Sequence, residues 1–102
     1  VGSAKAPQNG GSSYCYGGWN YSPWWGKTAG SSCWNPAYVK GWIDDTYRDG
    51  YCVQMRFDWY RHGSWVGTKY SPRVCDRQQA RHFQLNSPDP HADWVNWQFY
   101  RV

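Results

Sequence analysis

A chain of 102 residues, 40% of them apolar by a broad count, has room for one domain with one modest core. Nine Trp, nine Tyr and three Phe stand in it while Glu is absent and Leu85, Ile43 and Met55 are each the sole residue of their type, which excludes a helical bundle. The net charge of +4 is scattered, so nucleic acid is not the leading partner, and no run of about twenty apolar residues offers a membrane helix.

Residues 1–13 are rich in Gly and Ser and carry no ring, and they read as a flexible N-terminal tail ahead of a single β domain over 14–102. A first residue Val1 in place of Met suits a processed, secreted protein. Tyr14–Tyr21 is the first predicted strand. From Trp19 to Trp25 the rings are broken by Asn20, Ser22 and Pro23, so part of this stretch is expected to be a loop with rings pointing outward. Tyr38–Ile43 is the next strand, and Asp44–Gly50 has the Asp and Gly content of a hairpin loop. In Tyr51–Tyr60 the residues Tyr51, Val53, Met55, Phe57 and Trp59 alternate with Cys52, Gln54, Arg56, Asp58 and Tyr60, giving one core face and one polar face. These two strands are predicted to pair antiparallel, and Arg61–Ser64 turns the chain into Trp65–Tyr70 as the third strand of a meander. Ser71 and Pro72 end that run. A helix over Asp76–Arg81 has weak support. A short strand follows at Arg81–Leu85, a loop at Ser87–Pro90 and a last alternating strand at Trp94–Val102. The expectation is an all-β, antiparallel sandwich or barrel of about six strands.

Cys15, Cys33, Cys52 and Cys75 are well separated, and no C-x-x-C pair suggests zinc. Two disulfides are expected, hence an oxidising compartment and a secreted, extracellular protein. Three pairings are open on paper.

Catalytic groups are scarce. His62 and His82, with Arg81 and a Lys such as Lys69, could form an acid–base pair for cleaving RNA, but His62 falls in a predicted turn, and ordinary surface roles account for both histidines. Asp44 and Asp45 are adjacent and point apart, which argues against a paired-carboxylate glycosidase. Asp44, Asp45 and Asp49 near Gly50 hint at calcium without the D-x-D-x-D spacing of a helical calcium loop, so no metal or cofactor is expected. Arg73, Arg77 and Arg81 read as a solvated loop or edge. The more informative feature is the excess of rings, above all Trp19, Tyr21, Trp24 and Trp25, since exposed Trp and Tyr form protein-binding hot spots and sugar-stacking platforms.

The order of Cys15, Trp19-Asn20-Tyr21-Ser22, Cys33, Val39-Lys40, Asp44-Asp45-Thr46 and Cys52, with Cys75 as a fourth partner, resembles the tendamistat-type microbial inhibitors of α-amylase over roughly residues 14–60. The resemblance implies a six-stranded sandwich of two sheets with Cys15 paired to Cys33 and Cys52 to Cys75. It also implies an exposed triplet at Trp19, Asn20 and Tyr21. The family has Arg at the centre of that triplet. Asn20 cannot supply the charge that pairs with catalytic carboxylates.

Three functions follow as expectations. The first is a secreted, non-enzymatic protein that binds another protein, such as a glycoside hydrolase or a component of a secreted assembly, through Trp19, Asn20, Tyr21, Trp24 and Trp25. The second is a carbohydrate-binding or antimicrobial module stacking a polysaccharide on the same rings, without membrane insertion. The third is a small ribonuclease-like enzyme or toxin.

Overall fold

Strand alternation builds the core. The computed structural model describes residues 1–7, 12–76 and 78–102 and holds, among them, eight strands and no helix. They are β1 (Gly2–Lys5), β2 (Tyr14–Tyr21), β3 (Gly26–Trp34), β4 (Tyr38–Asp45), β5 (Val53–Arg61), β6 (Ser64–Tyr70), β7 (Arg81–Asn86) and β8 (Trp94–Arg101). Two four-stranded antiparallel sheets pack as a sandwich, sheet A in the order β1-β8-β5-β6 and sheet B in the order β2-β3-β4-β7.

The inward positions follow the two-residue period. Val53, Met55, Phe57 and Trp59 of β5 are buried, as are Val95, Trp97 and Phe99 of β8 and Val39 and Ile43 of β4. The β5–β6 turn is as expected: His62 (φ 49°) and Gly63 (φ 84°) form a two-residue loop with positive φ at both centres, the geometry that matches strand twist in a hairpin.

Three expectations are corrected. There are eight strands, not about six. Part of the segment read as a tail is the edge strand β1, which pairs with β8 from Gly2↔Trp97 to Lys5↔Trp94 and buries Ala4; Gln8, Asn9, Gly10 and Gly11 lie outside the described residues. A strand at a sheet edge is held largely by backbone hydrogen bonds, which composition does not reveal. The strand over Tyr38–Ile43 does not pair with the one over Tyr51–Tyr60: β4 lies between β3 and β7, and β5 between β6 and β8. Both carry a core face, and they oppose each other across the interior, so residues 46–52 cross between sheets. No helix forms over the described part of Asp76–Arg81; Arg77 lies outside the described residues.

Both disulfides join the partners implied by the resemblance. Cys15–Cys33 ties β2 to β3 at directly paired positions. Cys52–Cys75 ties the β4–β5 crossover to the β6–β7 crossover, beside an isolated bridge between Val53 and Val74. The pair of disulfides fits an oxidising environment.

Candidate functional site

Trp19 is not an exposed recognition ring. It sits on the inner face of sheet B, 7% exposed, with ring centroids 5.3 Å from Phe57, 6.3 Å from Phe83 and 6.4 Å from Trp97. Its place is made by Gly30 and Gly41, which face each other across β3 and β4. A Cβ on Gly30 would lie 2.3 Å from the indole, and one on Gly41 2.8 Å from it. The indole N–H donates to Thr28 Oγ1 at 2.8 Å, so a buried donor is satisfied. Trp25 is half-buried against Phe99 at 4.8 Å. Tyr21 sits at the rim of the core, near Trp97 and Phe99. Asn20 is exposed on the outer face of sheet B, level with Ala29, Trp42 and His82.

Of the rings expected outside, Trp24 is the most exposed, at 65%, ahead of Tyr21 at 38%. It meets Tyr47 edge-to-face at 5.0 Å, and the Arg101 guanidinium lies 4.9 Å from its centroid and 5.0 Å from that of Tyr51. Asp49 accepts from Arg101 at 2.8 Å. This patch of three exposed rings around one Arg closes an end of the sandwich.

Beside it the structure gathers Asp45, Asp49 and Asp76, with one carboxylate oxygen of each within 4.8 Å of the others. Asp44, which the sequence placed beside Asp45 and Asp49 in the calcium hint, is not part of it; it stands on the opposite phase of β4 from Asp45, across from Lys27. Asp76 was invisible from sequence, standing 27 positions after Asp49. The carboxylates are engaged by the chain itself: Tyr47 N–H donates to Asp45, Tyr51 N–H to Asp49 and Gly50 N–H to Asp76. Desolvation and the nearby Asp76 and Asp49 charges push the Asp45 carboxyl up, against the Tyr47 N–H. For Asp49 desolvation also acts upward, but the Tyr51 N–H and Arg101 outweigh it and hold the carboxyl below its ordinary value. These are the residues whose donor type would suit a hard cation, three oxygens where calcium takes six to eight.

The histidines are kept apart. His62 is in the β5–β6 turn of sheet A, its Nδ1 3.3 Å from Asp93, whereas His82 is on β7 of sheet B. Lys69 is on β6 and Arg81 opens β7. Arg73 is in the β6–β7 connection, and Arg77 lies outside the described residues.

The surface that sequence reasoning missed is the outer face of sheet A. Register places Lys5, Trp94, Tyr60 and Trp65 in one row across β1, β8, β5 and β6. With strands about 4.8 Å apart, the three rings span roughly 10 Å. Ser3, Asn96, Asp58 and Thr68 form the next row, then Gln98, Arg56 and Tyr70, then Tyr100 and Gln54. Trp65 is 61% exposed, Tyr70 50% and Trp94 36%.

Hydrogen bonds fix these groups. Trp94 Nε1 donates to Asn96 Oδ1 at 2.6 Å, and Trp65 Nε1 donates to Thr68 Oγ1 at 3.1 Å. Both acceptors stand one row along the same face, so each indole leans along its strand over the sheet and its polar edge is already engaged. Thr68 in turn donates to Asp58, Arg56 pairs with Asp58 at 3.1 Å, and Tyr100 donates to Gln54 at 2.8 Å. Burial and the neighbouring Tyr70 push the Tyr100 phenol above its ordinary value, against Arg73 and Arg56, so it stays protonated. The result is a rigid face with rings at both ends, hydrogen-bonding groups between, and its central charges paired.

No protein-family model, curated protein or solved structure matches this chain. Among the described residues, no helix is long and apolar enough to cross a membrane.

Proposed function

We propose that the chain is a secreted, non-enzymatic module that holds a neutral polysaccharide on the outer face of sheet A. The observation that carries this reading is the row Trp94, Tyr60 and Trp65 with both indole N–H groups already engaged within the sheet. A ring whose polar edge is occupied offers a partner its π face, and sugar rings stack on such faces through their C–H surfaces. Asn96, Asp58, Thr68 and Gln98 lie within reach of the hydroxyls of a stacked chain. Arg56 and Asp58 at the centre of the face are paired with each other, and Lys5 stands at the edge of the ring row on β1. The two disulfides support export to an oxidising compartment.

The test is retention on insoluble cellulose and chitin. The native protein is expected in the pellet, and Trp65→Ala and Trp94→Ala in the supernatant, with melting temperatures within a few degrees of native. Release of neither variant refutes the site.

A second reading is favoured by one observation, the patch of Trp24, Tyr47, Tyr51 and Arg101. Trp, Tyr and Arg dominate the centres of protein–protein interfaces, and this surface suits a secreted protein partner such as a glycoside hydrolase. Loss of a co-purifying protein in Trp24→Ala, with polysaccharide retention intact, would assign function to this end instead.

A further inference from the structure

On the outer face of sheet B the polar side chains around the Trp42 ring are uncommitted, whereas on sheet A Asn96, Thr68, Asp58 and Arg56 are engaged with the indoles or with one another. A shallow, open groove of about 700 Å³ crosses this face. Ala29, Gly30, Ser31, Gly41 and Trp42 line it, together with the Trp19 indole that lies against the two glycines from the inner side. Two rows run across it by register. One is Asn20, Ala29, Trp42 and His82; the other is Gly18, Ser31, Lys40 and Gln84. The groove is concave because small residues on β3 stand between larger ones on β2, β4 and β7.

Among the described residues, the side chains of Asn20, Ser31, Lys40, Trp42, His82 and Gln84 make no hydrogen bond within the protein, and Lys40 makes no ion pair. Among the described residues, no carboxylate lines the groove. The nearest on the face, Asp44, lies opposite Lys27 on the neighbouring strand. Lys40, without an ion-pair partner among the described residues, stands one row from Trp42 on the groove side, and Asp44 stands one row from it on the other side.

From this we propose that the groove binds an acidic saccharide, a hexuronic acid unit or its oligomer. The sugar ring stacks on Trp42, and its carboxylate meets the Lys40 ammonium. Asn20, Ser31 and Gln84 supply donors and acceptors for the hydroxyls, with the His82 imidazole at the edge. A stacking ring fixes the plane of the sugar, and a single cation one row away selects the unit that carries a carboxylate over one that carries a hydroxymethyl group. The site is separate from the sheet A platform, and the two lie on opposite faces of the sandwich, so one copy could hold a neutral and an acidic chain together.

The probes are an oligogalacturonate and the same oligomer with its carboxyls methyl-esterified, titrated by calorimetry at low salt. The acid form is expected to bind and the ester to bind at least ten-fold more weakly. Lys40→Gln, a change at an exposed position, should weaken the acid form about ten-fold and leave the ester unchanged. Added salt should weaken the acid form alone. Trp94→Ala should leave this binding intact, so failure of the sheet A reading and failure of this one are distinguishable. Equal affinity for acid and ester, no effect of Lys40→Gln, or no binding at millimolar ligand each overturns the proposal. So does a single-stranded oligonucleotide that displaces the saccharide at lower concentration, since the groove would then be a nucleotide site.

Discussion

Replacing Trp19 by Ala, beside the same change at Trp24, separates a core ring from an exposed one five positions along the chain. Trp19 is 7% exposed and touches Phe57, Phe83 and Trp97, and its N–H has a partner in Thr28. Truncating a buried Trp costs about 3–5 kcal/mol, including the cavity it leaves. Relaxation will not close this cavity, because Gly30 and Gly41 contribute no side chain to fill it. For a domain of this size each kcal/mol lowers the melting temperature by about 4–8 °C, so Trp19→Ala should melt roughly 12–40 °C early. Trp24→Ala removes only an edge-to-face contact with Tyr47 and a cation–π contact with Arg101, together about 1 kcal/mol. The assay is urea unfolding followed by far-ultraviolet circular dichroism with disulfides intact. Trp19→Phe, which keeps most of the ring but abandons Thr28, should fall between the two. If Trp24→Ala costs as much as Trp19→Ala, the packing described here is wrong.

Two further outcomes are expected. Asp45 has a folded pKa above its unfolded value, so its contribution to stability is present below the unfolded pKa and is lost as pH rises through the folded one. Asp45→Asn keeps an acceptor for Tyr47 N–H and should therefore raise the melting temperature at pH 7, with the gain shrinking as pH falls through the raised pKa towards about 4; a variant less stable than native at pH 7 contradicts this. The Cys52–Cys75 bond spans 23 positions, and in the loop-entropy model its removal in Cys52→Ala/Cys75→Ala should cost about 3 kcal/mol, measured by the same unfolding assay. A loss below about 1 kcal/mol would mean that the two crossovers are held by Val53, Val74 and the Gly50–Asp76 contact without the crosslink.

The parts of the fold legible in the sequence are those where side chains alternate strongly. Val53 to Trp59 and Val95 to Phe99 announce both period and face, and His62-Gly63 announces its turn. Strand β3 escaped notice because Gly26, Ala29, Gly30, Ser31 and Ser32 are poor strand formers, chosen by what they allow to approach. Gly30 is small so that Trp19 can lie on it. Strand β1 escaped because its hydrogen bonds, not its side chains, hold it to β8. The misplaced pairing of β4 with β5 has a third cause. A short connection rich in Asp and Gly serves a hairpin and a crossover equally, and what decides is whether two core faces must lie side by side or face to face.

The candidate site was hidden for a related reason. Density along the chain drew attention to Trp19 through Trp25, yet neighbours in a sheet are neighbours across strands. Tyr60, Trp65 and Trp94 are far apart in number and adjacent in register. A signal for them does exist. On β5 the inward phase is held by Val53, Met55, Phe57 and Trp59, so Tyr60 stands on the polar phase. On β8 the inward phase is Val95, Trp97 and Phe99, which leaves Trp94 and Tyr100 outside, and on β4 Val39 and Ile43 leave Trp42 outside. A ring on the polar phase adds little to the core and exposes apolar surface to water. Each such ring here falls on a face where hydrogen-bonding groups stand beside it, Asn96 by Trp94, Thr68 by Trp65, Lys40 by Trp42. That juxtaposition of a ring with polar neighbours on both outer faces is the feature on which the proposed saccharide sites rest.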